Sequence, residues 1–224
     1  IEEEHSVNWS QMLKLIHLTG MEKSMKNQYQ NASNISARIQ LHNKYSTNTQ
    51  GWFPWIFDQC HMAEHSTVLE IGCGDGSLWL ENKEKIPKQL HVVLSDISEG
   101  MLRDTRRAIH ANVKTSRFDF QVFDCERIPY PDNSFDLVIA NHILFYCKNL
   151  TSVFEEISRV LKTGGTFVCS TYGAAHMKEI NELVSEFDDR IVLSADRLFE
   201  RFGKENGADL LAPYFQNIKW LSYE

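Results

Sequence analysis

One stretch of the chain, residues 68–79, restricts the fold more than any other. Residues 68–71, which are apolar except for Glu70, run directly into glycines at alternate positions, Gly72, Gly74 and Gly76. This order predicts a buried parallel strand, a tight turn and the start of a helix. Because glycine accepts positive φ and close backbone approach without steric cost, a ligand could lie against the main chain here. Glycine clusters also form ordinary loops, so the stretch alone leaves both interpretations open.

Further strands and helices are predicted after this turn. A second apolar segment, residues 90–96, ends in Asp96, about twenty residues beyond the glycines, where a carboxylate commonly holds a nucleoside ribose. Residues 117–124, 135–140 and 166–171 also have strand character, with helix-forming sequence before the last of them. The pattern predicts an α/β fold, a Rossmann-like doubly wound sheet that is mostly parallel.

The ordered strand ends resemble those of the class I S-adenosylmethionine-dependent methyltransferases, over roughly residues 65–171. The resemblance implies S-adenosylmethionine as the cofactor and methyl transfer as the activity. The motifs that carry it are Glu70-x-Gly72-x-Gly74-x-Gly76, Asp96, Asp124-Cys125, Asn141 and Leu161-Lys162-Thr163-Gly164-Gly165-Thr166.

By this resemblance, the backbone of residues 72–76 would approach the methionine part of the cofactor, and Glu70 would organise the loop. Asp96 would accept hydrogen bonds from both ribose hydroxyls, a geometry that one carboxylate satisfies well. The structural alternative for Asp96 is a helix N-cap.

The adenine end of the cofactor would lie near the next two strand ends. The resemblance places Ile97 and Met101 against the adenine face, and Asp124 with the backbone of Cys125 at its amino edge. The alternative for Asp124 is a solvated loop acid. The full set of expected cofactor-binding residues is Glu70, Gly72, Cys73, Gly74, Gly76, Asp96, Ile97, Met101, Asp124, Cys125 and Asn141.

The charge around the glycine turn supports the same cofactor independently. A dinucleotide brings a pyrophosphate to such a turn, and that anion favours backbone N–H groups without carboxylates. Here Glu70 and Asp75 flank the turn, Asp96 and Asp124 end neighbouring strands, and Ser77 replaces the third glycine of G-x-G-x-x-G. An acidic cleft suits a ligand with an ammonium and a sulfonium better.

The acceptor is predicted to be a small molecule methylated at oxygen, nitrogen or carbon. Family members that methylate planar amino groups carry Asn/Asp-Pro-Pro-aromatic after the fourth strand, and residues 141–144, Asn-His-Ile-Leu, do not match. Methyl transfer needs mainly proximity and orientation, so no catalytic residue is assigned. His142 is the best candidate for a base, with packing at a helix start as the alternative.

A competing pattern, His61-Met62-Ala63-Glu64-His65, fits the H-x-x-E-H motif of a zinc peptidase family. A zinc site needs both histidines on one helix face. Because the pentapeptide runs straight into the first strand, we expect no shared helix face and no metal.

Composition limits the partners and the compartment. A formal net charge of −7 argues against a large nucleic-acid surface. The five cysteines lack a C-x-x-C pair, which favours reduced thiols and hence the cytoplasm. No apolar run approaches membrane-spanning length, and the acidic start is unlike a secretory signal.

Residues 1–63 are predicted to form an N-terminal helical cap, followed by a cofactor-binding domain at 64–224. Residues 1–20 are either a flexible appendage or native sequence, since Met21 could serve as a start. By the resemblance, the cap would close the substrate pocket; aromatic packing against the sheet is the alternative. The candidate lid residues are Tyr29, Arg38, His42, Tyr45, Trp52 and Trp55.

The end of the chain is predicted to contain helices at 177–187 and 195–202 and a sixth strand at 215–223. The family fold normally adds a seventh strand, which this sequence lacks. Either the native chain continues beyond Glu224, or a partner chain completes the sheet, so homo-oligomer formation stays open. Further acceptor-site candidates are Tyr172, His176, Arg197 and Phe199.

Two other functions remain as alternatives to methyl transfer. One is a nucleoside-binding regulatory module without turnover, and the less favoured one is an NAD-dependent oxidoreductase.

Overall fold

The computed structural model describes residues 44, 46, 48–114, 116–176, 178–188 and 197–223. Its five strands are β1 (Thr67–Ile71), β2 (His91–Asp96), β3 (Arg117–Val122), β4 (Phe135–Asn141) and β5 (Leu161–Ser170). They form one sheet in the order β3-β2-β1-β4-β5, and every pair is parallel. The order reverses direction between β1 and β4, so the predicted doubly wound fold is confirmed.

Both faces of the sheet are covered, which explains why its central strands are continuously apolar. Val68 belongs to one hydrophobic cluster and its neighbour Leu69 to the other, because successive strand residues point to opposite faces. Trp79 and Ile109 cover the first face, and Phe154 covers the second.

The α-helices lie between and after the strands. They are α1 (Trp52–Gln59), α2 (Ser77–Leu80), α3 (Glu99–Asn112), α4 (Leu150–Val160), α5 (Lys178–Phe187) and α6 (Gly207–Leu211). Two short 3-10 turns occupy Leu144–Tyr146 and Leu198–Glu200. None of the described helices has the length and apolar character of a membrane span.

The predicted sixth strand is wrong. Residues 215–223 form no strand, and Asn217 interrupts the segment with a left-handed φ of 57°. The alternating apolar residues instead pack sideways: Phe215 lies against Phe167 of β5, with ring centroids 5.0 Å apart, and Trp220 lies beside Gly207. The alternating apolar residues of this segment therefore pack against β5 and against the helix that begins at Gly207, and they do not form a strand.

Two predicted helices have a mixed outcome. The helix predicted at 177–187 is confirmed as α5. The one predicted at 195–202 is present only as the 3-10 turn Leu198–Glu200, and part of its range lies outside the described residues. The N-terminal helices predicted before residue 44 also lie outside the described residues. Of the predicted cap, the described part of the chain therefore contains α1.

Arg159 of α4 holds the long connection between β3 and β4. Its guanidinium donates to the carbonyls of Tyr130 and Ile128 at 2.7 and 2.9 Å and to the carboxylate of Glu156 at 2.8 Å. Glu156 also accepts from the Ile128 backbone N–H at 2.7 Å. Hydrogen bonds from Arg159 lower the pKa of Glu156, which keeps this acceptor ionised.

We expect Arg159→Met to lower the free energy of unfolding by about 1 to 3 kcal/mol, because it leaves two part-buried carbonyls and a carboxylate without their donor. Urea denaturation followed by circular dichroism measures the change. Arg107→Met, at a side chain that is 78% exposed, is the control and should change stability by less than about 0.5 kcal/mol. Equal effects of the two variants would contradict the role given to Arg159.

Candidate functional site

The glycine turn connects β1 to α2 at the carboxyl edge of the sheet. Gly72 and Gly74 have φ of 68° and 54°. A Cβ on Gly72 would lie 2.4 Å from the side chain of Ile143, so packing against the loop after β4 requires glycine there. A Cβ on Gly74 would meet nothing within 4 Å. Gly74 is therefore the position where the turn presents bare backbone to open space.

Asp96, at the end of β2, is bonded to the glycine turn. One carboxylate oxygen accepts from the Gly74 N–H at 3.2 Å, and the other accepts from the Ser98 N–H at 2.8 Å. Ser98, whose hydroxyl accepts from the Met101 N–H, is the N-cap of α3, so Asp96 is not. Burial raises the pKa of Asp96, while its backbone donors act in the opposite direction.

Glu70 is buried beneath the turn, with 2% of its surface exposed. Its carboxylate accepts a hydrogen bond from the Trp79 indole N–H at 2.6 Å. The pKa of Glu70 is raised to about 8, chiefly by burial and also by the charges of Asp75 and Asp96, against the Trp79 hydrogen bond that lowers it. Glu70, Asp75 and Asp96 therefore interact electrostatically at the glycine turn.

Asp124 and Cys125 follow β3 on the same edge of the sheet. Asp96 is the register partner of Val122, so Asp124 lies two residues beyond that pair. Asp124 is exposed and accepts from the Glu126 N–H at 3.0 Å, which fits the loop-acid alternative. Cys125 is partly buried.

The two residues expected at the adenine face differ in exposure. Ile97 is 73% exposed beside Asp96, so it offers apolar surface to a ligand. Met101 is 1% exposed inside α3. As placed, Met101 offers no surface to adenine, because its helix turns the side chain into the protein interior.

Asn141 ends β4 within a hydrogen-bonded group. The Ser170 hydroxyl donates to the Asn141 side-chain oxygen and accepts from the His142 N–H at 3.0 Å. His142 has a left-handed φ of 56°, which is uncommon for a residue with a side chain. These contacts hold the start of the loop after β4.

Aromatic residues of α1 cover this loop. The Trp52 ring lies 4.9 Å from the His142 ring and 5.6 Å from Trp55. Tyr223 packs edge-on against both tryptophans, at 5.2 and 5.4 Å. Of the predicted lid residues, Trp52 and Trp55 are thus placed beside β4, whereas Tyr29, Arg38, His42 and Tyr45 lie outside the described residues.

The four late candidates come together after β5. Tyr172 contacts the rings of His176 and Phe199 at 5.1 and 6.3 Å, and the Arg197 guanidinium lies 5.4 Å from the Phe199 ring centre. Phe145 connects this group to the loop after β4, with its ring 5.1 Å from Tyr172.

The H-x-x-E-H pentapeptide does not form a helix. His61 and His65 are exposed and both have left-handed φ, 43° and 65°. Across the part of the chain that the structure describes, no three His, Cys, Asp or Glu side chains come together as metal ligands would.

Several residues that shape the turn were missed by the sequence analysis. Trp79 donates to Glu70, Thr105 of α3 donates its hydroxyl to the Gly74 carbonyl, and Ser170 joins the ends of β4 and β5. The helical spacing of Met101, Thr105 and Ile109 was the available signal for Thr105, since it places a hydroxyl on the buried face of α3.

Residues 69–169 match the family profile described as Methyltransferase domain. Over these residues the chain is similar to the class I S-adenosylmethionine-dependent methyltransferases. The match runs from within β1 to within β5 and includes the ends of β1 to β4, so the resemblance seen in the sequence is confirmed.

The methyltransferase domain is 32% identical over 118 residues to the demethylmenaquinone methyltransferase of Symbiobacterium thermophilum, covering 53% of this chain and 47% of that protein. It is 30% identical over 135 residues to the malonyl-[acyl-carrier protein] O-methyltransferase of Nitrosospira multiformis, covering 54% and 44%. The chain spans about half the length of the curated relatives it matches.

A solved structure with a similar fold is the S-adenosylmethionine-dependent methyltransferase of Aquifex aeolicus. It aligns with a TM-score of 0.58 and 15% identity, over 80% of this chain and 86% of that one. At this identity the likeness shows the shared fold.

Glu70 makes stability depend on pH. Its pKa of about 8 in the folded protein exceeds the usual 4.5, so the folded state holds a proton that the unfolded state releases. Stability therefore falls as pH rises from about 4.5 to 8, with a slope of at most about 1.4 kcal/mol per pH unit from this group.

We expect Glu70→Gln to remove this slope, because the amide oxygen still accepts from Trp79 and does not ionise. Urea unfolding at pH 5, 6, 7 and 8 measures it, with Glu64→Gln at an exposed site as the control for the lost charge. The same pH dependence in wild type and Glu70→Gln would refute the assignment.

Proposed function

We propose that the protein transfers the methyl group of S-adenosylmethionine to an oxygen, nitrogen or carbon of a small-molecule acceptor. The carrying observation is the bond between Asp96 and the Gly74 N–H, which places a carboxylate beside bare, open backbone at the carboxyl edge of the sheet. A phosphate-bearing dinucleotide would be repelled there, whereas a ligand with cationic groups and a ribose is favoured.

The residues present suit this cofactor. Asp96 keeps lone pairs beyond its two backbone donors, and these could accept from ribose hydroxyls. Ile97 supplies exposed apolar surface beside it for adenine, and the loop with Asp124 and Cys125 lies one strand further on. Gly72, Cys73, Gly74 and Gly76 would line the methionine part, with Glu70 beneath.

When bound, the cofactor supplies an activated methyl group on its sulfonium. The protein then has mainly to hold the acceptor in line and keep water out. Trp52 and Trp55 of α1, packed beside His142 and Tyr223, are suited to covering the crevice at the switch between β1 and β4. His142 is the best candidate for the group that accepts a proton. Asn141 would contact the cofactor.

Several narrower assignments belong to the same proposal. The division into a cap at 1–63 and a cofactor domain at 64–224 fits α1 lying ahead of β1. The five cysteines are free thiols, which is compatible with a cytoplasmic site of action. Association into a homo-oligomer stays a prediction.

Calorimetric titration with S-adenosylmethionine, its demethylated product and NAD tests the cofactor assignment. Methyl-labelled cofactor with a panel that includes demethylmenaquinone and malonyl-acyl carrier protein, the acceptors named for the relatives, tests turnover. Binding of NAD without the sulfonium compound would favour the oxidoreductase. Cofactor binding without transfer to a broad acceptor panel would favour the regulatory module.

Gly74→Ala should weaken S-adenosylmethionine binding at least tenfold, about 1.4 kcal/mol, because the new methyl group occupies the open space over the turn. Gly164→Ala is a matched control, since Gly164 also has positive φ, 79°, and open surroundings. Both variants should lose a similar 1 to 2 kcal/mol of stability, roughly the cost of a left-handed alanine.

Calorimetry and urea unfolding on both variants separate binding from stability. Unchanged cofactor affinity in Gly74→Ala would mean that the ligand does not approach this backbone.

A further inference from the structure

Two thiols on different loops meet beside the proposed cofactor site. The Sγ atoms of Cys125, after β3, and Cys147, after the 3-10 turn that follows β4, lie 3.4 Å apart. Both side chains are partly buried, so a small solute can reach them. Cys60 and Cys73 are buried, and Cys60 donates to the Ile56 carbonyl of its own helix.

The chain segments that follow the two cysteines are already connected by hydrogen bonds. One carboxylate oxygen of Glu126, the residue after Cys125, accepts from the N–H groups of Lys148 and Asn149 at 3.1 and 2.9 Å. The Cys147 N–H donates to the Leu144 carbonyl and ends the 3-10 turn. A disulfide needs a sulfur separation of about 2 Å, so side-chain rotation with a small loop shift would close the gap.

We propose that Cys125 and Cys147 form a redox modification site that a hydroperoxide converts into a disulfide, which weakens cofactor binding. One thiol takes an oxygen atom from the hydroperoxide, giving a sulfenic acid and releasing water or an alcohol. The second thiol attacks that sulfur, the S–S bond forms, and one water leaves. The two cysteines are oxidised and the hydroperoxide is reduced, so the chemistry balances.

The effect on the cofactor rests on the proposed function. Asp124 and the Cys125 backbone are the groups expected at the adenine edge, and the disulfide pulls Cys125 towards Cys147. A displacement near one ångström is enough to misalign hydrogen bonds in a binding site. The cofactor should therefore bind the oxidised protein more weakly, and reduction should restore the affinity.

The Cys125 thiol is less acidic than an ordinary cysteine thiol. The hydrogen bond with the Cys147 thiol, followed by burial, raises the pKa of Cys125. Because the thiolate is the reactive form, the raised pKa slows the direct reaction of Cys125 with an oxidant.

Treatment of the full chain with hydrogen peroxide, followed by mass spectrometry and thiol titration, tests the modification. Wild type and Cys60→Ser should each lose two titratable thiols and 2 Da, reversibly with dithiothreitol, with peptide mapping locating the bond at 125–147. Cys125→Ser and Cys147→Ser should form no intramolecular disulfide. A bond between other cysteines, or only irreversible over-oxidation, would overturn the proposal.

Calorimetric titration of reduced and oxidised protein with S-adenosylmethionine tests the consequence. We expect at least tenfold weaker binding after oxidation in wild type and no such loss in Cys125→Ser or Cys147→Ser. Equal affinity of both forms would overturn the effect on binding. If the reduced protein does not bind the cofactor, the proposed function fails, whereas the disulfide is still judged by mass and thiol count.

Discussion

The close approach of the glycine turn to its neighbours is the constraint on which the rest of the site depends. Gly72 packs against Ile143 of the loop after β4, and Gly76 packs against Thr105 of α3. Gly74 lies between them, bonded to Asp96 and open to solvent. The turn thereby joins both halves of the sheet at the point where the strand order reverses, and it leaves open space for a ligand on the Cα side of Gly74.

Buried and half-buried acids give this turn its chemical character. Glu70 lies beneath it, Asp96 is bonded to its backbone, and Asp75 adds charge close by. Keeping carboxyl groups in a low-dielectric site is costly unless donors or bound cations compensate. Trp79 compensates Glu70 in part, and a cationic nucleoside ligand would supply further compensation. The cost of these carboxylates thus favours the ligand class proposed for the site.

Local sequence patterns predicted the five strands, although β5 begins at Leu161 and not at residue 166, and they failed at the end of the chain. Buried parallel strands have a continuous apolar signal that ends at a polar or glycine residue, as in β1 and β2. Residues 215–223 carry the period-2 alternation of a strand without a strand partner, and Phe215 and Trp220 use it to pack on Phe167 and Gly207. An alternating pattern shows which side chains are apolar. It does not show which part of the fold those side chains pack against.

The sequence by itself determined the order of strands, the glycine turn and the acidic ends of β1 and β2, because those features depend on residues close together in the chain. Tertiary structure decided which side chains meet: Met101 faces inward while Ile97 is exposed, and Cys125 reaches Cys147 across the cleft edge. Such contacts join residues on different elements, and their distances follow from sheet order and helix packing, which a local pattern does not contain.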